Sequence, residues 1–343
     1  MLVSNAVTDR VEPWEVPHLI SVVIPVYGGE RTLAGVVEEI LPLATESRTP
    51  DGYPFRVTEI VLVYDNGRDD SARVIRELAE SHDIVQAVWL SRNYGQHAAT
   101  LAGMASSGGE WIVTLDEDGQ HDPADIPVLL DTALREQAPL VYARPTNKPS
   151  HGFLRNSASR GAKWLLTRVF AGTNARDYQS YRLVLGSIGR GVAAYAGSGV
   201  YLDVALGWVA PPPATAPILL RDEGERRSGY STRRLFSHFW RMVITSGTRG
   251  LRFVSALGAV FAAVGVAVSI YILVARLTGG DDVPEGWASS IVVVLLSAGA
   301  ILVALGIIAE YIGVSVNMSL GKPPYLVTGD PADGPLGRRR PTR

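Results

Sequence analysis

The first half of the chain alternates short apolar runs with stretches of helical periodicity, and this alternation limits the folds that it can adopt. Apolar, β-branched runs predict strands at residues 20–26, 59–64, 85–90, 111–115 and 140–143. Apolar residues recur at helical spacing between them, at residues 30–43, 71–80, 96–106 and 125–134. Strands that alternate with helices form a mostly parallel sheet with helices on both faces. The sequence therefore predicts an α/β, Rossmann-like domain.

Polar side chains follow four of the predicted strands, at the point where each strand ends. In strand order they are Tyr27 and Glu30, Asp65 and Asn66, Arg92 and Asn93, and Asp116, Glu117 and Asp118. Ligands of parallel α/β sheets bind beyond the carboxyl ends of the strands. We therefore expect these four clusters to meet at one edge of the sheet and to form a ligand site there.

The acidic triplet after the fourth strand is the strongest candidate for a metal site. In an extended chain, residues i and i+2 point the same way, so Asp116 and Asp118 can face one cation while Glu117 faces elsewhere. Mg²⁺ and Mn²⁺ prefer carboxylate and phosphate oxygens, and Mg²⁺ is often held by one or two carboxylates together with substrate phosphates. The sequence predicts a Mg²⁺ or Mn²⁺ site at Asp116 and Asp118.

Several classes of site are excluded by what the sequence lacks. The chain has 343 residues and no cysteine, which excludes disulfides, thiolate zinc sites and a cysteine nucleophile. Neither GxGxxG nor GxxxxGK[ST] occurs, which argues against a dinucleotide-binding Rossmann motif and a P-loop. The formal net charge of −2 does not favour nucleic acid as a partner. Residues 1–18 are polar and do not form a signal peptide, so we expect them to stay in the cytosol.

Two uncharged apolar stretches in the second half, residues 253–275 and 287–309, are long enough as helices to cross a hydrocarbon core of about 30 Å. Residues 279–286 between them contain three acids and no Lys or Arg, whereas arginines stand on both outer flanks. This bias predicts a multi-pass protein of the cell (inner or plasma) membrane, with the α/β domain and both termini in the cytoplasm. A buried helical hairpin of a soluble core is the alternative.

Residues 235–244 mix aromatic and apolar side chains with His238 and Arg241, which indicates an amphipathic helix at the membrane interface or, alternatively, a soluble surface helix. The predicted organisation has five parts. They are a polar tail at 1–17, the α/β domain at 18–230, juxtamembrane helices at 231–250, two transmembrane helices within 251–313 (about 253–276 and 287–310) and a cytoplasmic tail at 314–343.

The motifs SVVIPVY, VLVYDNGRDDS, LSRNYGQHAATLAG and DEDGQHDP occur in this order, and together they resemble glycosyltransferase family 2, whose fold is called GT-A. Further along, LRNSASRGAKWL, RDYQSYRLV, ERRSGYS, AEYIG and GKPPY are similar to the polyprenyl-phosphate glycosyltransferases of that family. These include dolichyl-phosphate mannose synthase and bacterial enzymes that transfer glucose or aminoarabinose to a lipid. The resemblance covers about residues 18–328.

The resemblance implies a role for each residue that matches a family motif. For the nucleotide sugar these residues are Pro25, Tyr27, Glu30, Asp65, Asp116, Glu117 and Gln120, with Asp116 and Asp118 on the metal. For the acceptor phosphate they are Arg155, Ser159, Arg226 and Ser231. The implied catalytic residues are Asp118, Asp177 and Arg155, with Asp177 beside the sugar.

The residue types fit several of these roles. Arg155 and Ser159 are four apart and would share a helix face that suits a phosphate, although an ordinary exposed face is the alternative. Arginine can grip phosphate with two parallel hydrogen bonds, which favours the same role for Arg226 over a simple positive flank. For Asp177, the alternative is an ion pair with Arg182 or Arg176.

The implied activity is metal-dependent, inverting transfer of a sugar from a UDP- or GDP-linked donor to a polyprenyl phosphate in the bilayer. The resemblance also implies a homo-oligomer, a tetramer or a dimer. One alternative is a processive or hydroxyl-acceptor polysaccharide synthase, whose QxxRW element would correspond to residues 179–183 with leucine in place of tryptophan. Another is a catalytically inactive membrane scaffold.

Overall fold

The computed structural model describes residues 13–147, 178–197, 199–221, 287–335 and 337, together with a few residues between 258 and 274. The chain divides into two compact units. The first comprises Met1–Arg160, Asn174–Gly229 and Pro323–Arg343, and the second comprises Gly161–Thr173 and Tyr230–Lys322.

The described part of the first unit is built on a single sheet of nine strands. In chain order they are β1 His18–Val26, β2 Ser47–Arg48, β3 Pro54–Tyr64, β4 Val85–Leu90, β5 Trp111–Thr114, β6 Leu140–Pro145, β7 Arg182–Leu185, β8 Ala214–Ile218 and β9 Val327–Thr328. Their order across the sheet is β8-β6-β7-β5-β1-β3-β4-β9, and β2 pairs with β3 outside this path.

The centre of the sheet is parallel, since β1 pairs in parallel with both β3 and β5, and β3 pairs in parallel with β4. The chain moves from β1 to β3 and β4 on one side and then returns to β5 on the other. A crevice forms where strand order reverses in this way, at the carboxyl ends of the strands. The centre of the sheet therefore supplies a ligand-binding edge at the ends of β1 and β5.

Six helices of the first unit are described: α1 Leu33–Ile40, α2 Ser71–Ser81, α3 Gln96–Ser106, α4 Ile126–Glu136, α5 Gly186–Tyr195 and α6 Leu202–Val209. Two apolar clusters fill the space between the helices and the two faces of the sheet. Helix α3 packs closely on β1 and β3, and glycine at position 103 allows this, since a Cβ there would collide with Val23 and Val63.

The prediction of a mostly parallel α/β sheet is confirmed. The predicted bounds of β4 and α3 agree with the structure, whereas α1 is shorter than the predicted helix at residues 30–43. Strands β2, β7, β8 and β9 and helices α5 and α6 were not predicted. Strand β7 is antiparallel to both of its neighbours, β5 and β6, so the simple alternation of strand and helix ends there.

The second unit contains helix α7, Trp287–Ser319, which continues beyond the predicted span of residues 287–310. Within the described residues, its stretch Ser297–Val316 is the one helix whose length and apolar composition would allow it to cross a membrane. Most of its described large apolar side chains are exposed, as at Leu302 and Ile301. The predicted span at 253–276 lies largely outside the described residues, so the two-helix hairpin is not confirmed. The helix predicted at 235–244 also lies outside them.

Candidate active site

The carboxyl end of β5 carries the acidic triplet, and three side chains fix the geometry of Asp116. Gln96, the first residue of α3, donates from Nε2 to Oδ1 of Asp116 over 2.6 Å. The Ser180 hydroxyl donates to Oδ2 of Asp116, also over 2.6 Å. The Asp116 backbone N–H donates to Nδ1 of His121 over 3.2 Å. Among the described residues, each carboxylate oxygen of Asp116 thus has one protein donor, which leaves a lone pair for a further partner.

Burial affects the pKa values of this acid and of its neighbouring histidine in opposite directions. Removal from water raises the pKa of Asp116, and the nearby His121 and the Ser180 hydroxyl oppose that rise. Burial lowers the pKa of His121, and the charge of Asp116 opposes that change. Because Nδ1 of His121 accepts a hydrogen bond, we assign the proton of the neutral ring to Nε2.

Asp118 stands on a tight turn at the end of β5. Its Oδ1 accepts the backbone N–H of Gln120 over 3.1 Å. Gly119 between them has a φ of 76°, in the left-handed region that favours glycine. The carbonyl of Gln120 accepts the N–H of Arg221, whose side chain forms ion pairs with Asp122 and Glu39. The turn that carries Asp118 and Gln120 is therefore held from both sides.

Glu117 is directed toward the loop after β1. Its two carboxylate oxygens accept the backbone N–H groups of Tyr27 and Gly28, at 2.9 and 2.8 Å. Its role as a nucleotide-sugar ligand stays a prediction. In this structure its carboxylate links the end of β5 to the end of β1, while those of Asp116 and Asp118 are engaged by other groups.

Asp65, at the end of β3, is nearly inaccessible to solvent, with 2% of the residue exposed. Its two carboxylate oxygens accept the backbone N–H groups of Tyr94 and Gly95, at 2.7 and 2.8 Å. Burial raises the pKa of Asp65, and these two hydrogen bonds oppose the rise. Asn93 donates to the Asp65 carbonyl. Asp65 therefore shapes the loop of residues 91–95 between β4 and α3; its contact with a nucleotide base stays a prediction.

The loops after β1 and β3 lie against each other. A Cβ at Gly67 would collide with the Tyr27 carbonyl, so this approach requires glycine. The Glu30 N–H donates to Asp69, and the carboxylate of Glu30 accepts the N–H of Asp70 over 3.4 Å. Tyr27 is 45% exposed, and Pro25 lies half-buried in β1. These predicted donor-site residues thus reach the same edge as Asp116 and Asp118.

A buried ion pair lies behind the site. Arg182, the first residue of β7, donates to Oδ1 of Asp203 in α6, and the Tyr142 hydroxyl donates to the same oxygen over 2.8 Å. The side chains of Arg182 and Asp203 are each 4% exposed. Burial raises the pKa of Asp203, and the positive charge of Arg182 opposes the rise. Arg182 was one of the two arginines considered as an ion-pair partner of Asp177. In the structure it is paired with Asp203.

Five of the predicted residues lie outside the described residues: Arg155, Ser159, Asp177, Arg226 and Ser231. Conversely, the structure adds Gln96, Ser180 and the Arg182–Asp203 pair, which sequence reasoning did not assign to the site. Gln96 and Ser180 lie 20 and 64 positions from Asp116 in the chain, and no local pattern links them to it. Their presence inside the quoted family motifs was the one signal available.

The donor set suits a hard divalent cation that also binds a substrate phosphate. Among the described residues, no group of three or more His, Cys, Asp or Glu side chains is placed to hold a metal. Asp116 and Asp118 supply two carboxylates, which is enough for Mg²⁺ when phosphate oxygens and water complete its coordination. The residues present therefore fit Mg²⁺ or Mn²⁺ held jointly with a diphosphate.

Comparison with known proteins supports the resemblance to glycosyltransferase family 2 that the sequence motifs carry. The model of the family "Glycosyl transferase family 2" matches residues 21–195. The undecaprenyl-phosphate 4-deoxy-4-formamido-L-arabinose transferase of Klebsiella pneumoniae (strain 342) is 30% identical over 314 residues, covering 90% of this chain and 92% of the relative. The enzyme of that name from Sodalis glossinidius is 30% identical over 332 residues, with coverages of 94% and 97%.

A solved structure of glucosyl-3-phosphoglycerate synthase from Mycobacterium tuberculosis, in complex with Mn²⁺, UDP-glucose and phosphoglyceric acid, is 20% identical and has a TM-score of 0.45. The match covers 68% of this chain and 79% of that one. The family match over half of the chain and the relatives aligned over nearly all of it lead to one conclusion: this chain is a glycosyltransferase and belongs to glycosyl transferase family 2.

Proposed function

We propose that the protein transfers a sugar from a nucleotide sugar to a polyprenyl phosphate in the membrane, with a divalent metal and with inversion at the sugar. The observation that carries the proposal is the pair Asp116 and Asp118 at the reversal point of the sheet, each with lone pairs left for a cation. Relatives at 30% identity over 90% of this chain bear the name of undecaprenyl-phosphate sugar transferases, which supports the acceptor class.

On this proposal, the bound metal would neutralise negative charge on the leaving diphosphate. The carboxylates of Asp116 and Asp118 would hold it, with Gln96 and Ser180 fixing the orientation of Asp116. The residues that would surround the nucleotide sugar are Pro25, Tyr27, Glu30, Asp65 and Gln120. They would contact it directly or shape the loops around it, and the hydrogen bonds of Asp65 favour the second role for that residue.

In the proposed reaction, an acceptor phosphate oxygen attacks C1 of the sugar in line. The bond from C1 to the diphosphate oxygen breaks as the bond to the acceptor forms, and the nucleoside diphosphate leaves. A phosphate monoester has a second pKa of about 6, so it is largely ionised at neutral pH and needs no strong general base. Arg155, Ser159, Arg226 and Ser231 would position the acceptor phosphate, and Asp177 would contact the sugar.

Membrane attachment is part of the proposal. Helix α7 is apolar and its large side chains are exposed, as expected of a span in contact with lipid. An anchored enzyme shares the plane of the bilayer with its lipid acceptor, which raises their effective concentration. We place the catalytic domain on the cytoplasmic face and propose a second span at 253–276, as the flanking charges of the sequence indicate.

The test is a donor screen with the purified full-length protein, a short polyprenyl phosphate, and UDP- and GDP-linked sugars, including 4-amino-4-deoxy- and formamido-pentoses. The expected product is a polyprenyl-phosphate monosaccharide, identified by mass. Chelation by EDTA and the Asp118→Ala substitution should each lower turnover about 10³-fold, since loss of metal charge stabilisation removes several kcal/mol.

The control variant is Asp83→Asn, which neutralises an exposed acid just after α2 and should leave turnover unchanged. Full activity of Asp118→Ala would contradict the metal assignment. A product with the sugar on a hydroxyl group would contradict the phosphate acceptor. Failure of every donor with a folded protein would favour the inactive scaffold.

A further inference from the structure

Residues 325–330, which follow α7 closely in the chain, form part of the first unit. Strand β9 pairs antiparallel with the end of β4, with Thr328 opposite Trp89 and Val327 opposite Leu90. The backbone N–H of Ser91 donates to the Leu326 carbonyl over 3.0 Å. The sequence predicted a tail for this region, yet its backbone extends the sheet at the β4 edge.

Besides the backbone pairing, two side chains attach this segment: Tyr325, like Tyr94, packs against the second apolar cluster, and Asp330 forms an ion pair with Arg76. Arg76 of α2 donates from Nε and Nη2 to the two carboxylate oxygens of Asp330, at 2.5 and 2.7 Å. The guanidinium also lies over the Trp89 ring, 5.0 Å from its centroid. The Asp330 side chain is 12% exposed, so water competes poorly for it. By contrast, Leu326 and Val327 are 53% and 45% exposed and bury little apolar surface.

The end of β4 that this segment covers leads directly into the donor edge. The next residues, 91–95, form the loop whose Tyr94 and Gly95 N–H groups bind Asp65. Residue Gln96 follows at once and donates to Asp116. On the other side of β4, the Asn66 side chain donates to the Leu90 carbonyl. The carboxyl end of β4 is thus held by Asn66, which follows β3, on one side and by residues 325–330 on the other.

We infer that residues 325–330 are a positioning segment of the donor site: anchored by the Arg76–Asp330 pair, they hold the 91–95 loop and Gln96 in the geometry that binds the nucleotide. This inference rests on the proposed function, because it assumes that the donor nucleotide binds at the Asp65–Asp116 edge. It assigns a role in donor binding to residues that lie beyond α7 and more than 200 positions from the acids.

The experiment compares Asp330→Asn with the unaltered full-length protein and with Asp333→Asn, a matched change of charge at an exposed residue just beyond the segment. UDP and GDP are the probes, in the presence of Mn²⁺, by calorimetry. We expect Asp330→Asn to raise the nucleotide Kd about tenfold, the order expected when charge-assisted hydrogen bonds are weakened. Turnover at saturating donor should change less than twofold in the same variant, and Asp333→Asn should bind as the unaltered protein does.

Hydrogen exchange supplies the readout that a merely structural role would not move. In Asp330→Asn the amides of Ser91, Tyr94 and Gly95 should exchange faster, while amides in the centre of β1 should not. The Asp330→Glu variant, which keeps the charge, should recover part of the affinity. A lower Tm with unchanged nucleotide Kd and unchanged exchange at Tyr94 and Gly95 would overturn the inference. If the unaltered protein binds neither nucleotide, the proposed donor site itself is contradicted, and this inference falls with it.

Discussion

Two acids stand at the same edge of the same sheet, and their surroundings differ. Asp65, after β3, gives both oxygens to backbone N–H groups and has 2% of the residue exposed. Asp116, after β5, is served by the side chains of Gln96 and Ser180, and 27% of its side chain is exposed. A carboxylate offers about four lone-pair sites, so both acids keep two of them. Only those of Asp116 are open to a ligand.

Two acids that both match family motifs thus have different physical roles. The Asp65 carboxylate orders a backbone loop, and its value lies in the shape of that loop. The Asp116 carboxylate is oriented by side chains and stays partly exposed, which is the arrangement that a metal ligand needs. Substitutions at the two positions should therefore differ in kind, with a loss of turnover at one and a loss of stability at the other.

The largest effect is expected for Asp116→Asn, which keeps the size of the side chain and removes its charge. We expect kcat/KM to fall about 10³-fold, equivalent to about 4 kcal/mol, because in the proposed reaction the leaving diphosphate would lose its bound cation. The free energy of unfolding should change by less than about 1 kcal/mol, since the side chain is partly exposed. Kinetics and urea unfolding measure both quantities. A large loss of stability would remove the distinction from Asp65.

The next effect extends the comparison to a third acid, which is buried and paired with a charge. Asp203→Asn should lower the free energy of unfolding by about 3 kcal/mol, because the Arg182 guanidinium is left buried without its counter-charge. Tyr142→Phe, which removes one hydroxyl from the same carboxylate, is the control and should cost about 1 kcal/mol. Equal losses in the two variants would show that the charge of Asp203 is unimportant.

Asp65→Ala tests the stability side of the comparison directly. The substitution leaves the N–H groups of Tyr94 and Gly95 without their acceptor, and we expect a loss of about 2 kcal/mol in the free energy of unfolding. The amides of these two residues should also exchange faster with solvent. If Asp65→Ala instead keeps full stability and loses nucleotide binding, its carboxylate acts on the ligand rather than on the loop.

The smallest effect is expected for Ser180→Ala, which removes one of the two side-chain donors to Asp116. Partners of metal ligands change metal affinity by about 10–100-fold when they are lost. Because Gln96 remains, we expect the lower end, about a tenfold weaker Kd for Mn²⁺, measured by electron paramagnetic resonance without donor. Ser106→Ala, at the far end of α3, is the control. Unchanged Mn²⁺ affinity would mean that Ser180 does not orient Asp116.

The centre of the fold could be predicted from the sequence because its signals are local. Strand β4 and helix α3 are continuous runs of one periodicity, and the sequence places their bounds correctly. The acids after β3 and β5 could be assigned to one edge because parallel strands end on the same side. The metal role of Asp116 and Asp118 stays a prediction, although the structure brings the surrounding clusters together.

The rest depends on contacts between distant parts of the chain. Strand β9 has two residues and takes its conformation from the edge of β4, so no local pattern identifies it. Strand β7 is four residues long, and its antiparallel direction depends on the sheet beside it. The sequence could not show that Arg182 pairs with Asp203 rather than with Asp177, because sequence distance does not tell which acid lies close to an arginine in the fold. The hydrogen bond between Ser180 and Asp116 could not be predicted for the same reason, since the two residues are 64 positions apart.

Strand β9 also bears on how fragments of this protein would behave in solution. The β4 sequence, VQAVWL, is rich in apolar residues, and β9 pairs with its last two residues, Trp89 and Leu90, at the outer edge of the sheet. An uncovered strand of this kind is a template for pairing with another chain. A soluble fragment that ends before residue 325 would leave this end of β4 unpaired and invite aggregation, whereas one that joins residues 323–337 back to the first unit would keep it covered.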